Sequence, residues 1–263
     1  MVNPQIKTEL EPKDRIIFAL DVPDLQSALP HLEFFSGRVG MIKVGLELFV
    51  AEGKPIVDAA RQYGGGNNVM LDLKLHDVPI TVQRAAASAA RLRPDLLTIH
   101  SDGGVPMMEA AVKGSSEALR GTDFFTKVIA ITVLTSLNDS DLNDIGFANI
   151  HAHDALSHLI ENRARLAIKA GCHGVVAPAF AAKKIRRLAN SFNRRDFVIV
   201  CPGISLSGKP NPSQKSSGTA EEAIENEADY VVIGRDLRDA EDKTARIAEF
   251  VKQIERGLKA RGK

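Results

Sequence analysis

Charged residues of opposite sign stand close together in residues 69–81 (VMLDLKLHDVPIT). Asp72 and Lys74 are separated by one residue, so on a β-strand their side chains point to the same face. Asp77 follows at the point where Pro79 prevents a simple continuation of the strand. Buried charges are costly unless they are paired. Alternating carboxylate and ammonium groups at a strand end therefore indicate an ion-pair network or an electrostatic catalytic site.

Two further charges end apolar segments elsewhere in the chain. Asp21 closes the segment FALDV, and Lys43 lies in IKVG. If these segments and residues 69–75 are neighbouring parallel strands, two lysines and three aspartates meet at one edge of the sheet. A structural ion-pair network would be the simpler interpretation of a single Asp–Lys pair. Five charges on three strand ends favour a catalytic role, because active sites are where such costs are tolerated.

Eight short apolar segments could supply the strands that position these charges. They are nearly continuous in apolar residues, as expected of parallel strands buried on both faces. The predicted strands are residues 16–22, 41–44, 69–75, 96–100, 128–134, 174–177, 197–201 and 230–233. Amphipathic segments lie between them. In residues 155–170, for example, a stripe with the roughly 3.6-residue helical period includes Arg163, and Gly171 supplies the stop.

This alternation predicts an α/β protein with the architecture of a TIM (β/α)8 barrel. We expect a single domain over residues 1–263, with residues 1–13 as a polar N-terminal extension, because no flexible linker divides the chain. A doubly wound open sheet is the alternative. No GxGxxG motif follows the first predicted strand, which weakens a dinucleotide-binding version of that fold. In a barrel, reactive residues lie at the C-terminal ends of the strands.

Composition excludes several classes of protein. The 263 residues include 34 Lys and Arg against 33 Asp and Glu, a balance that argues against a nucleic-acid-binding protein. A hydrophobic content of 44% argues against disorder. No apolar segment approaches the ~20 residues of a membrane span, and no signal peptide is visible. Cys172 and Cys201 lack a CxxC or Cys/His context, so we expect reduced thiols in a cytoplasmic protein.

The segments FALDV, IKVGLELF, LDLKLHDVPIT, TVLTS, PGI and VIGR together resemble the orotidine 5′-phosphate decarboxylase family. They occur in the order of the family, at comparable spacings, over nearly the whole chain. The resemblance implies decarboxylation of orotidine 5′-monophosphate to UMP and CO2, the last step of de novo pyrimidine nucleotide synthesis. It implies that the reaction needs no metal, cofactor or covalent intermediate, and that the enzyme is a homodimer.

By this resemblance, Lys43, Asp72, Lys74 and Asp77 form a catalytic Lys-Asp-Lys-Asp array. Asp72 would lie against the substrate carboxylate. Lys74 would stabilise the carbanion that develops at pyrimidine C6 and donate the proton that replaces CO2. Lys43 would orient Asp72 and a ribose hydroxyl. Asp77 would reach across the dimer interface to the partner's Lys74, with Thr81 near the same edge.

The resemblance also assigns contacts with the rest of the substrate. Asp21 would bind the ribose, Thr135 of TVLTS the pyrimidine, and Gly234 with Arg235 the phosphate. The residue types suit these roles, because a glycine lets the backbone approach an anion and an arginine is a bidentate donor. Without the resemblance, Thr135 is nearly as well interpreted as a helix cap, and the Gly-Arg pair as an ordinary turn.

Residues 202–218 form a predicted loop that is longer than most connections, which favours a lid over the site. By resemblance, Gln214 would bridge the phosphate and the pyrimidine when the lid closes. The chain departs from the family at Ser205, where relatives commonly have arginine. Lys209 or Lys215 could supply the phosphate contact that this change removes.

Two other functions are compatible with parts of the sequence. The related 3-keto-L-gulonate 6-phosphate decarboxylases share the D-x-K-x-x-D pattern but have an acidic magnesium ligand where this chain has Lys43, which would repel the ion. A barrel that binds a phosphorylated ligand without turnover is the other alternative. We expect no metal site at His151, His153, Asp154 and His158, which begin a predicted helix and lack further ligands at a convincing spacing.

Overall fold

Eight parallel strands close into a barrel in which each strand lies beside its neighbours in sequence. The structure is a computed structural model, and it describes residues 10–63, 68–147, 155–209 and 217–262. The strands are β1 (Ile16–Leu20), β2 (Met41–Gly45), β3 (Asn68–Leu75), β4 (Leu96–His100), β5 (Lys127–Ile131), β6 (Gly174–Val176), β7 (Val198–Cys201) and β8 (Tyr230–Ile233). Because β1 pairs with both β2 and β8, the sheet has no edge, and the predicted TIM barrel is confirmed.

Helices surround the barrel and return the chain to the start of each next strand. In the described ranges they are α1 (Leu25–Phe35), α2 (Leu46–Glu52), α3 (Lys54–Tyr63), α4 (Pro79–Ala90), α5 (Gly104–Ala118), α6 (Asp139–Asp144), α7 (Ala155–Lys169), α8 (Ala182–Ser191), α9 (Ala220–Glu225), α10 (Arg235–Arg238) and α11 (Lys243–Arg261). Side chains cap several of them: Asp24 accepts from the amide of Ser27 at the start of α1. None of the helices in these ranges is long and apolar enough to cross a membrane.

Alternate residues of each strand face two separate cores. In β1, Ile16, Phe18 and Leu20 pack against the helices, whereas Ile17 and Ala19 face the barrel interior. The same alternation places Leu71 of β3 in the outer core, with Leu73 and Leu75 partly buried against it. Away from the C-terminal ends of the strands, apolar side chains fill the barrel interior, as is typical of a barrel that is a packed core rather than a pore.

Three strands end earlier than predicted, and β6 does so by one residue, at Val176 and not at residue 177. β5 ends at Ile131 and not at residue 134, and β1 ends at Leu20 and not at residue 22. Val133 is nonetheless buried and Leu134 packs against the interior core, so their apolar character reflects burial at the barrel mouth rather than strand pairing. An apolar segment alone does not distinguish these two kinds of burial.

The predicted N-terminal extension falls only partly within the described residues. Residues 1–9 lie outside them. From residue 10 the chain leads into a 3-10 turn at Pro12–Arg15, and the carbonyl of Lys13 accepts a hydrogen bond from the amide of Gly40. A Cβ at Gly40 would lie 1.9 Å from the carbonyl oxygen of Asp14, which explains why glycine occupies that position.

Candidate active site

A cavity of about 650 Å³ opens at the C-terminal ends of the strands. Apolar side chains of the inner core, including Met70, Val176 and Val232, form its floor. The cavity brings together most of the predicted site residues, namely Asp21, Lys43, Asp72, Lys74, Thr135, Gly234 and Arg235. These residues come from both ends of the described chain, and the closure of the barrel places them around one space.

Asp72 is the centre of a chain of alternating charges. Its Oδ2 atom lies 2.7 Å from Lys74 Nζ and 3.6 Å from Lys43 Nζ. Lys43 Nζ in turn donates to Asp21 Oδ1 at 3.0 Å. The four side chains therefore run in the order Asp21, Lys43, Asp72 and Lys74 across the ends of β1, β2 and β3.

Burial and the neighbouring charges shift the pKa values of Asp72 and Lys43 in opposite directions. The side chain of Asp72 is only 9% exposed, and burial by itself would raise its pKa, but Lys43 and Lys74 outweigh that effect and hold the pKa below its usual value. Burial would lower the pKa of Lys43, but Asp72 and Asp21 raise it above its usual value. Both buried groups are consequently ionised at neutral pH, and their fixed charges require no solvent reorganisation during a reaction.

Thr98 completes this arrangement, although the sequence analysis did not identify it. Its hydroxyl donates to Asp72 Oδ1 at 2.9 Å and accepts from the Lys74 amide at 2.9 Å. The residue is fully buried on β4, which is next to β3 in the barrel. The polar threonine inside the apolar segment LLTIH is the feature of the sequence that could have identified it.

The backbone of β3 is irregular at Lys74. The pairing of β3 with β4 shifts between Leu71 and Leu75, and Lys74 adopts a positive φ of 50°. This conformation is uncommon for a residue with a side chain, and bulges of this kind are found where a strand re-aims a side chain at an active site. The expectation that Asp72 and Lys74 share a face is confirmed, but the strand that carries them is not regular.

The Gly-Arg turn after β8 lines the cavity next to the end of β1. Gly234 precedes α10, and Arg235 is the first residue of that helix. Arg238, one turn further on, donates from Nη1 to the backbone carbonyl of Asp21 at 2.7 Å. The turn that could bind an anion is thus tied directly to the end of β1, where the chain of charges begins.

The loop after β7 is anchored at its base. Ile204 forms a bridge with Gly218, and the amide of Leu206 donates to Asp236 Oδ2 at 3.0 Å. Ser205 and Lys209 line the cavity. The predicted contact residue Gln214 and the alternative cation Lys215 lie outside the described residues, so their predicted contacts stay predictions.

Asp77 and Thr81 do not join the cavity of their own chain. Both are exposed, and Asp77 Oδ1 accepts from the Val78 amide at 2.6 Å. Within the described residues Asp77 forms no ion pair with Lys74. The neighbouring Val78 and Ile80 are 59% and 52% exposed, so an apolar surface surrounds the acidic group.

Other candidate groups are structural. Cys172 and Cys201 are buried free thiols, and burial raises the pKa of Cys172 to about 12, so neither is poised as a nucleophile. His158 is exposed on α7, whereas His151, His153 and Asp154 lie outside the described residues. The described part of the chain contains no group of three or more histidine, cysteine or acidic side chains that could hold a metal ion.

The cavity therefore suits a ligand that carries a phosphate. Arg235 and the Gly234 backbone can bind a phosphate. The Lys74 ammonium, which also lines the cavity, can stabilise negative charge that develops on a bound ligand. Thr135 in the cavity wall offers a hydroxyl that can both donate and accept.

Comparison with known proteins gives one consistent result. Residues 14–250 match the profile of the orotidine 5′-phosphate decarboxylase / HUMPS family. A protein of Idiomarina loihiensis named orotidine 5′-phosphate decarboxylase is 41% identical over 243 residues, covering 91% of this chain and 97% of the relative. One of Syntrophus aciditrophicus with the same name is 39% identical over 254 residues, covering 95% and 97%.

Solved structures agree with this similarity. The crystal structure of orotidine 5′-phosphate decarboxylase from Lactobacillus acidophilus superposes with a TM-score of 0.75 at 27% identity, covering 91% of this chain and 98% of that one. An uncharacterised conserved protein from Geobacillus kaustophilus superposes with a TM-score of 0.74 at 32% identity, covering 91% and 99%.

Proposed function

The chain belongs to the orotidine 5′-phosphate decarboxylase / HUMPS family, and from that premise we propose that it decarboxylates orotidine 5′-monophosphate to UMP and CO2. It is then a carboxy-lyase of pyrimidine nucleotide synthesis. We propose further that the whole chain acts as one barrel domain and that the reaction needs neither cofactor nor metal. The observation that supports this function best is the chain of alternating charges around the buried Asp72 and Lys43.

The chemistry follows from the position of Lys74. Loss of CO2 leaves an electron pair at C6 of the pyrimidine, and an ammonium group fixed beside that carbon stabilises the developing negative charge. Lys74 then donates its proton to C6, which gives UMP. Its contact with Asp72 Oδ2 at 2.7 Å holds the ammonium in place before the substrate arrives. Asp72 lies next to the substrate carboxylate in this arrangement.

The remaining groups bind and orient the substrate. Lys43 holds Asp72 and, with Asp21, contacts the ribose hydroxyls. Thr135 contacts the pyrimidine, and Gly234 with Arg235 holds the phosphate. Gln214 bridges the phosphate and the base when the loop after β7 closes and excludes water from the carbanion.

A homodimer completes the site in this proposal. The carboxylate of Asp77 and the hydroxyl of Thr81 are exposed beside apolar Val78 and Ile80, which is the composition of a surface that packs against a second copy. Asp77 would then approach the partner's Lys74 and add the fourth charge to the array.

A magnesium-dependent decarboxylase of the same family is the alternative. Such an enzyme needs several oxygen ligands around the ion. In this chain the ammonium of Lys43 lies 3.6 Å from Asp72 Oδ2, so a cation already neutralises the carboxylate that a metal would need. The donor set therefore favours the metal-free reaction.

The test is a direct assay of orotidine 5′-monophosphate turnover, followed by the change in ultraviolet absorbance, with and without EDTA. We expect turnover that the chelator does not alter. Loss of activity on chelation would support the magnesium-dependent alternative. Tight binding of UMP without any turnover would support a barrel that only binds phosphorylated ligands.

A further inference from the structure

Arg163 is a buried cation at the outer side of β5. It lies in the apolar stripe of α7, and only 7% of its side chain is exposed. Its Nη1 atom donates to the carbonyl oxygen of Thr132 at 2.6 Å, and its Nη2 atom forms an ion pair with Asp102. The guanidinium also lies over the ring of Phe147, 5.0 Å from the ring centre.

Asp102 belongs to a 3-10 turn, Ser101–Gly103, that directly follows β4. The same turn supplies the hydroxyl of Ser101, which donates to the carbonyl oxygen of Ile131 at 2.7 Å. On the opposite side, both the amide and the hydroxyl of Thr132 donate to the carbonyl oxygen of Val176, at 3.0 and 2.9 Å. The end of β5 is thus held by β4, β6 and α7 together.

The residues that follow Thr132 form part of the cavity wall. Val133, Leu134 and Thr135 follow Thr132 and all line the cavity. They have left the regular strand, so the barrel's backbone ladder no longer holds them. Arg163 is buried in this pair, whereas the side chain of Asp102 is 34% exposed, and a partly exposed ion pair adds little net stability. What distinguishes the Arg163–Asp102 pair is the hydrogen bond from Arg163 to the Thr132 carbonyl, which ties the pair to the start of the cavity-lining segment.

We propose that the Arg163–Asp102 pair positions the pyrimidine-binding segment Val133–Thr135 by holding the Thr132 carbonyl. This inference rests on the proposed function, since it concerns the part of the substrate that this segment contacts. Neither residue lines the cavity, so Arg163 and Asp102 are positioning residues rather than catalytic ones. We expect their effect to fall on the base rather than on the phosphate, because Arg163 holds the end of β5 whereas the Gly234–Arg235 turn follows β8.

Isothermal titration with two ligands separates this role from general support of the fold. UMP carries the pyrimidine, whereas ribose 5-phosphate lacks it. We expect Arg163→Met and Asp102→Asn to weaken UMP binding by about tenfold, as small displacements of binding groups do. Binding of ribose 5-phosphate should stay within about twofold of the wild type, the range of a surface substitution. Arg165→Met, on the exposed side of α7, is the matched control and should change neither affinity.

Equal weakening of both ligands, or no change for either in a folded variant, would overturn the positioning role. If Arg163→Met does not fold, Asp102→Asn carries the same comparison, because it keeps an oxygen acceptor facing the guanidinium. Turnover of orotidine 5′-monophosphate by the wild type is measured alongside. Its absence would reject the proposed decarboxylation, whereas normal wild-type turnover with equal losses for both ligands would reject only the positioning role.

Discussion

Thr98 and Asp72 are joined by a buried 2.9 Å hydrogen bond between a hydroxyl on β4 and a carboxylate on β3. The same hydroxyl accepts the amide of Lys74, also at 2.9 Å. One neutral side chain thereby fixes the carboxylate and the backbone of the lysine two residues further on. The positive φ of Lys74 is compatible with this bond, because the amide there binds a side chain in place of the regular strand ladder.

Replacing Thr98 by valine should therefore impair both stability and catalysis. The change leaves a buried amide and a carboxylate oxygen without their partner, which costs about 1–3 kcal/mol. We expect the free energy of unfolding in urea to fall by that amount and kcat to fall by about tenfold, because Lys74 loses its backbone anchor.

Thr126→Val is the matched control for this substitution. Thr126 is also buried and donates to the carbonyl oxygen of Pro94 at 2.7 Å, but it lies before β5, at the opposite end of the barrel. Thr126→Val should lower the free energy of unfolding by a similar amount and leave kcat unchanged. An equal loss of kcat in the two variants would show that the Thr98 bond has no special role in the site.

Lys74→Ala should abolish decarboxylation while leaving the barrel folded. Asp72 keeps Lys43 as a partner, so no buried charge is left alone, whereas the proton donor and the fixed positive charge are both lost. We expect kcat to fall by at least about 10³-fold, with a thermal melt like that of the wild type. Lys54→Ala, which removes an exposed lysine paired with Asp58, should leave kcat unchanged. Near-normal turnover by Lys74→Ala would remove this residue from its proposed role.

Mixing two inactive variants tests whether the site is shared between subunits. If Asp77 acts in the partner's site, a heterodimer of Lys74→Ala and Asp77→Ala chains contains one intact site and one doubly altered site. Random pairing in a symmetric dimer should then restore about a quarter of the wild-type activity. The measurement is turnover after refolding the mixture, with heterodimers quantified by mass spectrometry. Heterodimers without activity would place Asp77 outside the shared site.

His173 should make the fold sensitive to acid. Burial, more than any other effect, lowers the pKa of His173 from 6.5 to about 4, and its Nδ1 atom accepts from the Val128 amide at 3.0 Å. The unfolded chain therefore binds this proton more readily than the folded one. The resulting stability is present above pH 6.5 and is lost as the pH falls towards 4, by up to about 3 kcal/mol.

Urea unfolding at pH 7.5 and pH 4.5 measures this contribution as a difference between variants. The loss of stability between the two pH values should be smaller for His173→Gln than for the wild type. His158→Gln, at an exposed position of α7, should behave like the wild type. A His173→Gln variant with the wild-type pH dependence would show that the half-buried imidazole is not the group responsible.

The barrel was predictable because its signal is local. Strands that are buried on both faces have continuous apolar sequences, so the number and order of the eight strands were predicted correctly. The inward position of Asp72 and Lys74 followed from the two-residue period of a strand. The end of β5 was not predictable in this way, since Val133 and Leu134 are as apolar as strand residues but are buried by the barrel mouth.

The sequence by itself determined which charges stand at the strand ends and, through periodicity, that they face one interior. Only the tertiary structure decided which of them meet. Closure of the barrel between β8 and β1 places Arg238 within 2.7 Å of the Asp21 carbonyl, across 217 positions of the chain. The same packing paired Thr98 with Asp72, and Arg163 with Asp102. Such contacts depend on the relative placement of whole strands and helices, which arises from the burial of their combined surfaces and not from the pattern of any one segment.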